Sequence, residues 1–193
     1  MKIRTAIIVI AIITIITLGS FAAIYFSTYN RLVALNAAVD EKWAQVEQEL
    51  QRRYDLIPNL VSAASAYIEY EGSILENITA LRSQWMNALA TDDIDEVNNA
   101  TAQIETGIRN LIVTIEAYPE LWASDVVISL MISLEGTENR ISTERMRFNE
   151  AVRDYNTAIQ SFPANLWSAG WGFTVRPYFE AEIASTEVPP VNL

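Results

Sequence analysis

From Thr5 to Phe26 the chain carries no charged residue, and this run constrains the fold more than any other feature. Isoleucine, valine, leucine and phenylalanine fill twelve of its 22 positions. At a rise of 1.5 Å per residue it makes about 33 Å of helix, enough to cross a hydrocarbon core of about 30 Å. Each of those side chains favours insertion by roughly 0.3–0.6 kcal/mol, which outweighs Thr14, Thr17, Gly19 and Ser20. A cleaved signal peptide has an apolar core of about 7–15 residues, so the longer run predicts an uncleaved transmembrane anchor over residues 1–27. Lys2 and Arg4 precede it, whereas Arg31 beyond it is followed by Asp40 and Glu41. The positive-inside rule then predicts a single-pass protein of the cell inner or plasma membrane, N-terminus in the cytoplasm and the rest extracytoplasmic.

No glycine or proline separates Phe26 from Arg53, so the membrane helix is expected to continue into the first helix of a bundle as one rod of about 50 residues and about 75 Å. Leu32, Asn36, Val39, Trp43, Val46 and Leu50 recur every three or four positions and define its apolar stripe. Tyr25, Phe26 and Tyr29 fall where aromatic rings meet the membrane–water interface. The first break is Arg52-Arg53-Tyr54-Asp55-Leu56-Ile57-Pro58-Asn59-Leu60-Val61. Pro58 is tolerated only in the first turn of a helix and pushes Ile57 toward extended backbone, so these residues read as a hairpin corner. Asp55 is expected to cap the new helix, and Arg52 and Arg53 to place positive charge on the carbonyl end of the old one.

A second helix is expected from about Pro58 to Leu89, with Ile57, Val61, Ala64, Ile68, Leu75, Ile78 and Trp85 inward. Thr91-Asp92-Asp93 closes it and caps a third, in which Ile94, Val97, Thr101, Ile104, Ile108, Leu111 and Ile115 keep the period as far as Tyr118-Pro119. These acids lack the glycine and the spaced ligands of an EF-hand loop, and read as helix N-terminal charges. A fourth helix starts at Ser124 or Asp125 and carries Val127, Leu130, Leu134, Thr137, Ile141, Phe148, Val152, Tyr155 and Ile159 to Pro163. Glu49 with Arg53, and Glu105 with Arg109, have the spacing of ion pairs on a solvated helix face. The fold class is therefore all-α: a transmembrane helix continuous with an antiparallel bundle of about four long helices over 28–162.

Beyond it, 163–193 loses the period and becomes dense in rings: Trp167, Trp171, Phe173, Tyr178 and Phe179, with Arg176 among them. That is too apolar for a solvated tail. The segment is expected to pack on the bundle, a neighbouring subunit or the membrane surface, and these six residues are a candidate interface.

The chain has no histidine and no cysteine, which excludes disulfides, thiol chemistry, Cys/His zinc sites and a histidine triad. Its carboxylates are spread along helices, and no acid pair lies in an evident apolar pocket. No catalytic, metal or cofactor site is predicted. With 13 Lys and Arg against 24 Asp and Glu, the net charge is −11, a surface that repels nucleic acid.

The corner residues, preceded by Tyr29-Asn30, Leu32-Val33 and Trp43 and followed by Tyr118-Pro119-Glu120-Leu121, Glu138-Asn139, Tyr155-Asn156, Phe162-Pro163, Gly172-Phe173 and Arg176-Pro177-Tyr178-Phe179-Glu180-Ala181-Glu182, resemble the signature of the LemA family of bacterial membrane proteins. The resemblance covers nearly the whole chain. It implies an N-terminal membrane anchor, a helical bundle and no established enzymatic activity. Tyr70-Glu71 stands where family members tend to have His-Glu, and Trp122-Ala123-Ser124 where they tend to have Lys-Ala-Asn.

The function that follows is a non-enzymatic, membrane-anchored scaffold, homo-oligomeric or bound to other membrane proteins. An extracytoplasmic sensor or ligand-binding stalk is the alternative, although four residues before Thr5 leave no room for a signalling output. A channel or transporter accessory subunit would need oligomerisation of a helix without intramembrane charge. Protease added to intact spheroplasts should digest the bundle; cleavage only after lysis would reverse the topology.

Overall fold

The computed structural model describes residues 2–65, 72–91 and 93–179, with side chains from Ile7 onward. Among the described residues every regular element is helical. In chain order they are α1 (Lys2–Tyr54), α2 (Ile57–Ser65), α3 (Gly72–Leu89), α4 (Ile94–Glu116), α5 (Pro119–Trp122) and α6 (Asp125–Gln160), then 3₁₀ turns at Ala164–Leu166 and Ala169–Trp171. The membrane helix and the first bundle helix are thus one element, as the lack of a breaker predicts. Of the one helix expected from Pro58 to Leu89, α2 and α3 are the described parts; the residues between them, Ile68 and Tyr70-Glu71 included, lie outside the described residues. The one-turn helix α5 is an addition to the expected elements. It forms because Pro119, whose fixed φ suits a first helical position, stops α4 and restarts the chain after Tyr118.

The chain forms two compact units. One comprises Met1–Glu41 with Glu150–Arg176. In it Leu32 and Val39 of α1 are buried, as are Val152, Tyr155, Ala158 and Ile159 of α6. After α6 the chain folds over: Ser168 Oγ donates to the Ile159 carbonyl at 3.2 Å, and Gly172 ends the second 3₁₀ turn at φ +84°, a left-handed conformation suited to glycine. Asn156 then grips the returning chain from both sides, accepting from the Arg176 amide and donating to its carbonyl, each at 2.9 Å. The Arg176 guanidinium reaches Asp40 and the Asn36 Oδ1 of α1.

The second unit is built from Lys42–Asn149 together with the chain from Pro177. Its core is the expected stripes: Trp43, Val46 and Leu50 of α1, Ile104, Ile108 and Leu111 of α4, and Val127, Ile141 and Phe148 of α6 are all buried. Trp43 meets Phe148 at a centroid distance of 5.2 Å, and Tyr54 meets Trp85 edge-on at 4.7 Å. Buried Trp85 satisfies its indole N–H on Thr101 Oγ1 at 3.2 Å. Helices α3 and α4 approach closely because position 107 lacks a side chain; a Cβ there would lie 2.8 Å from Ile78 Cδ1 and from Leu81 Cδ1. Asp93 caps α4 as expected, its Oδ1 accepting from the Asp95 amide at 2.9 Å and the Glu96 amide at 3.3 Å.

The corner departs from expectation at Asp55. Its amide still bonds back to the Gln51 carbonyl at 2.9 Å, so it finishes α1. Leu56, whose carbonyl accepts the Leu60 amide at 3.0 Å, stands at the cap position of α2. The Asp55 carboxylate instead accepts from Arg82 Nη2 at 2.7 Å. Ile57 and Leu60 are buried, Leu56 and Val61 half-buried, and Arg52, Pro58 and Asn59 exposed. Phe148→Ala should therefore cost ~3–5 kcal/mol, while Pro58→Ala should stay within ~0.5 kcal/mol. Thermal melts of the detergent-solubilised chain followed by circular dichroism would separate the two.

A buried arginine and the cleft above it

The i,i+4 spacing of Glu49 and Arg53 predicts a pair along α1 on a solvated face, with Arg53 at the helix's last turn. Arg53 is buried instead, with 7% of its surface exposed. Its phase decides this: Val46, Leu50 and Arg53 lie three or four apart on the inward stripe. Nη2 bonds Glu105 Oε2 of α4 at 2.9 Å. Nη1 donates to the Leu134 carbonyl of α6 at 2.9 Å and also pairs with Glu138 Oε2 at 2.8 Å. One guanidinium thus ties the end of α1 to α4 and α6, using the fork that makes arginine suited to such bridging. Glu49 pairs across helices with Arg140 Nε at 3.0 Å.

Glu105 corrects a second expectation, for it lies on no solvated face and is 6% exposed. Both its oxygens are engaged: Oε2 by Arg53, and Oε1 by the Tyr54 hydroxyl at 2.9 Å. Burial pushes its carboxyl above the usual carboxylate range, an effect that the Arg53 charge and the Tyr54 hydrogen bond only partly offset. Burial also pushes the Tyr54 phenol well above its usual value, aided by the Glu105 charge, so Tyr54 remains the donor. With one partner on each oxygen, the Glu105 carboxylate clamps α4 to the end of α1. The signal was present in the sequence: Thr101, Glu105, Ile108 and Ile112 share one helical stripe, which places Glu105 inward.

Above this cluster a cleft of about 520 Å³ opens between α4, α5 and α6. Arg53, Glu105, Glu138 and Arg145 lie at its polar end, and Ile108, Val127, Met131 and Leu134 are among its apolar walls. Three apolar lining side chains are left in solvent: Trp122 is 43% exposed, Ile128 44% and Ile132 65%. Among the described residues Arg53 Nε and Arg145 Nε are buried donors without an acceptor. Arg145 also lies over the Phe179 ring, Cζ to centroid 4.4 Å. The size is that of a ligand or side-chain pocket. Among the described residues no group of three or more Asp or Glu is placed to hold a metal ion.

The residues expected to form an interface make contacts within the chain. In the first unit Trp167 and Trp171 pack on Tyr25, at 5.4 and 4.9 Å between centroids, and Phe173 packs on Tyr29 at 5.9 Å. In the second, Phe179 is buried beside Trp43, and Asn149 clamps its amide and carbonyl, each at 2.9 Å. Tyr178 remains 45% exposed.

The family model that matches this chain is that of the LemA family, over residues 42–193. Magnetosome protein MamQ 2 of Paramagnetospirillum magneticum is 25% identical over 196 residues, covering 90% of this chain and 72% of that protein. Magnetosome protein MamQ of Magnetospirillum gryphiswaldense is 25% identical over 195 residues, 89% of this chain and 72% of that one. Protein LemA of Metamycoplasma hominis is 23% identical over 153 residues, 78% of this chain and 68% of that protein.

Replacing Arg53 by Met leaves Glu105 buried without its cation and should cost ~3–5 kcal/mol; adding Glu105→Leu should recover part of that loss. Because the folded carboxyl of Glu105 has the raised pKa, its contribution is fully present below the unfolded value of about 4.3 and is lost as pH rises through the folded one. Melting temperatures from pH 4 upward should therefore fall less in Glu105→Gln than in the parent.

Proposed function

Because the chain belongs to the LemA family, we propose that it is a single-pass, membrane-anchored helical scaffold that acts by assembling with copies of itself or with other envelope proteins, and not by catalysis. The observation that carries this reading is the cleft. Its apolar mouth at Trp122, Ile128 and Ile132 is exposed, its floor is a carboxylate already held on both oxygens, and the chain contains neither histidine nor cysteine. Aromatic and aliphatic anchors beside arginine are what protein–protein contacts select. A partner that brings an apolar side chain to the cleft would cover Trp122, Ile128 and Ile132.

Anchoring supports the same reading. Among the described residues one helix is long and apolar enough to cross a membrane, and confinement to a plane raises the effective concentration of subunits, so each contact can be weak. The orientation that follows from Lys2 and Arg4 puts the cleft outside the cytoplasm. The partner of first choice is a second copy of this chain, meeting the outward face of α4–α6 and the exposed Tyr178 ring.

Ile128→Glu with Ile132→Glu places two charges one turn apart on that face, where neither side chain is part of the buried core. The double variant should keep its helical circular dichroism and lose mass, from oligomer to monomer, by light scattering in mild detergent. A folded variant of unchanged oligomeric mass would sink self-assembly through this face.

A further inference from the structure

The membrane helix is charge-free from Thr5 to Asn30, and a second charge-free stretch runs from Tyr155 to Val175. Folding brings the two together within one compact unit. Trp167 meets Phe21 edge-on, with ring centroids 5.8 Å apart. Phe21 lies five residues inside the apolar run, which at 1.5 Å per residue is about 8 Å below its end. Trp171 donates from Nε1 to the Tyr25 hydroxyl at 2.8 Å and packs edge-on against Tyr29 at 5.3 Å. The chain leaving α6 therefore descends along α1 to the level of the apolar run, then turns back at Gly172.

What it presents there is apolar and internally bonded. Phe162 is 79% exposed and Leu166 62%. The amides of Asn165, Trp167, Ser168, Trp171 and Phe173 bond to carbonyls of Ser161, Ala164, Trp167 and Ser168 at 2.8–3.0 Å. Ser161 turns its hydroxyl to the Thr157 carbonyl at 2.7 Å. A segment that pairs most of its own amides can lie in the headgroup-to-acyl boundary, where water remains for the few, Ala169 and Gly170 among them, that it leaves over. Tryptophan, with an apolar body and one N–H, is the residue enriched at that boundary.

We propose that residues 161–173 form a second membrane contact: a foot seated in the headgroup-to-acyl boundary of the bilayer that α1 crosses, with Phe162 and Leu166 entering the acyl chains and Trp167 and Trp171 joining the foot to the membrane helix. The occupant of this surface is lipid. The net charge of −11 and the absence of charge in the segment make the attachment one of apolar burial, so it needs no anionic headgroup and resists salt. The foot fixes α1 on two sides and so limits its tilt.

The chain has no cysteine, so Phe162→Cys and Leu166→Cys each create a unique site for a nitroxide label in the full-length protein. Reconstituted in phosphatidylcholine vesicles, both labels should be reached by dissolved oxygen and lose access to a water-soluble nickel chelate, as a label at Phe26→Cys does. A label at Ser142→Cys, on an exposed position of α6, supplies the aqueous reference. Nickel access at 162 and 166 equal to that at 142, in variants with parental helicity, overturns the proposal. Protection from both oxygen and nickel also overturns it, because a second protein chain and not lipid would then cover the foot. Raising salt or adding phosphatidylglycerol should leave the accessibilities unchanged; release of the labels into water by salt would contradict attachment by apolar burial.

Discussion

The buried Arg53 is the interaction on which the second unit depends. It ends the long first helix, and its guanidinium meets a carboxylate on α4, a carbonyl on α6 and a second carboxylate at the surface. A buried ion pair adds little net stability over an apolar substitute, because desolvation of both charges offsets their attraction. Its effect is geometric. Tyr54 beside it commits the other oxygen of Glu105, so the register of α1 against α4 is set by three hydrogen-bonded groups, where aliphatic side chains alone would tolerate a slide. The same arrangement shapes the cleft, since the polar cluster forms its floor while Trp122, Ile128 and Ile132 remain at its mouth.

A second device recurs in α6. Asn156 and Asn149 are seven residues apart, two helical turns, and each accepts from one backbone amide and donates to the carbonyl of the same residue, at Arg176 and Phe179 respectively. Among the described residues the chain after Gly172 has no strand partner, and these side-chain amides supply what a neighbouring strand would. The two tryptophans before it, Trp167 and Trp171, pack edge-on against Tyr25, a geometry favoured by the ring quadrupole.

The long periodic stripes were legible because burial on a helix needs a repeat of three and four, which Val39, Trp43, Val46 and Leu50, or Ile104, Ile108 and Leu111, display plainly. The Asp93 cap and the stop at Pro119 were legible for local reasons, a side-chain acceptor and a missing amide. The candidate site was only half visible. Arg53 stood out as part of the corner, yet its direction depends on where α4 and α6 lie. The spacing of Glu105 and Arg109 predicts a solvated pair, but the phase that Glu105 shares with Thr101 and Ile108 turns it inward. The cap expected of Asp55 failed because Arg82, 27 residues away, offered its carboxylate a better partner.

The sequence by itself determined the long apolar helix, the all-α class, the cap at Asp93, the stop at Pro119 and the absence of histidine or cysteine chemistry, since each follows from residue type and local spacing. Only the tertiary structure decided that Arg53, Tyr54 and Glu105 meet, that the rings of Trp167 and Trp171 lie against Tyr25, and that a cleft stays open beside α5. Those outcomes join residues some 50 to 150 positions apart. No local propensity encodes such a contact; it exists only once the packed helices fix which side chains face each other.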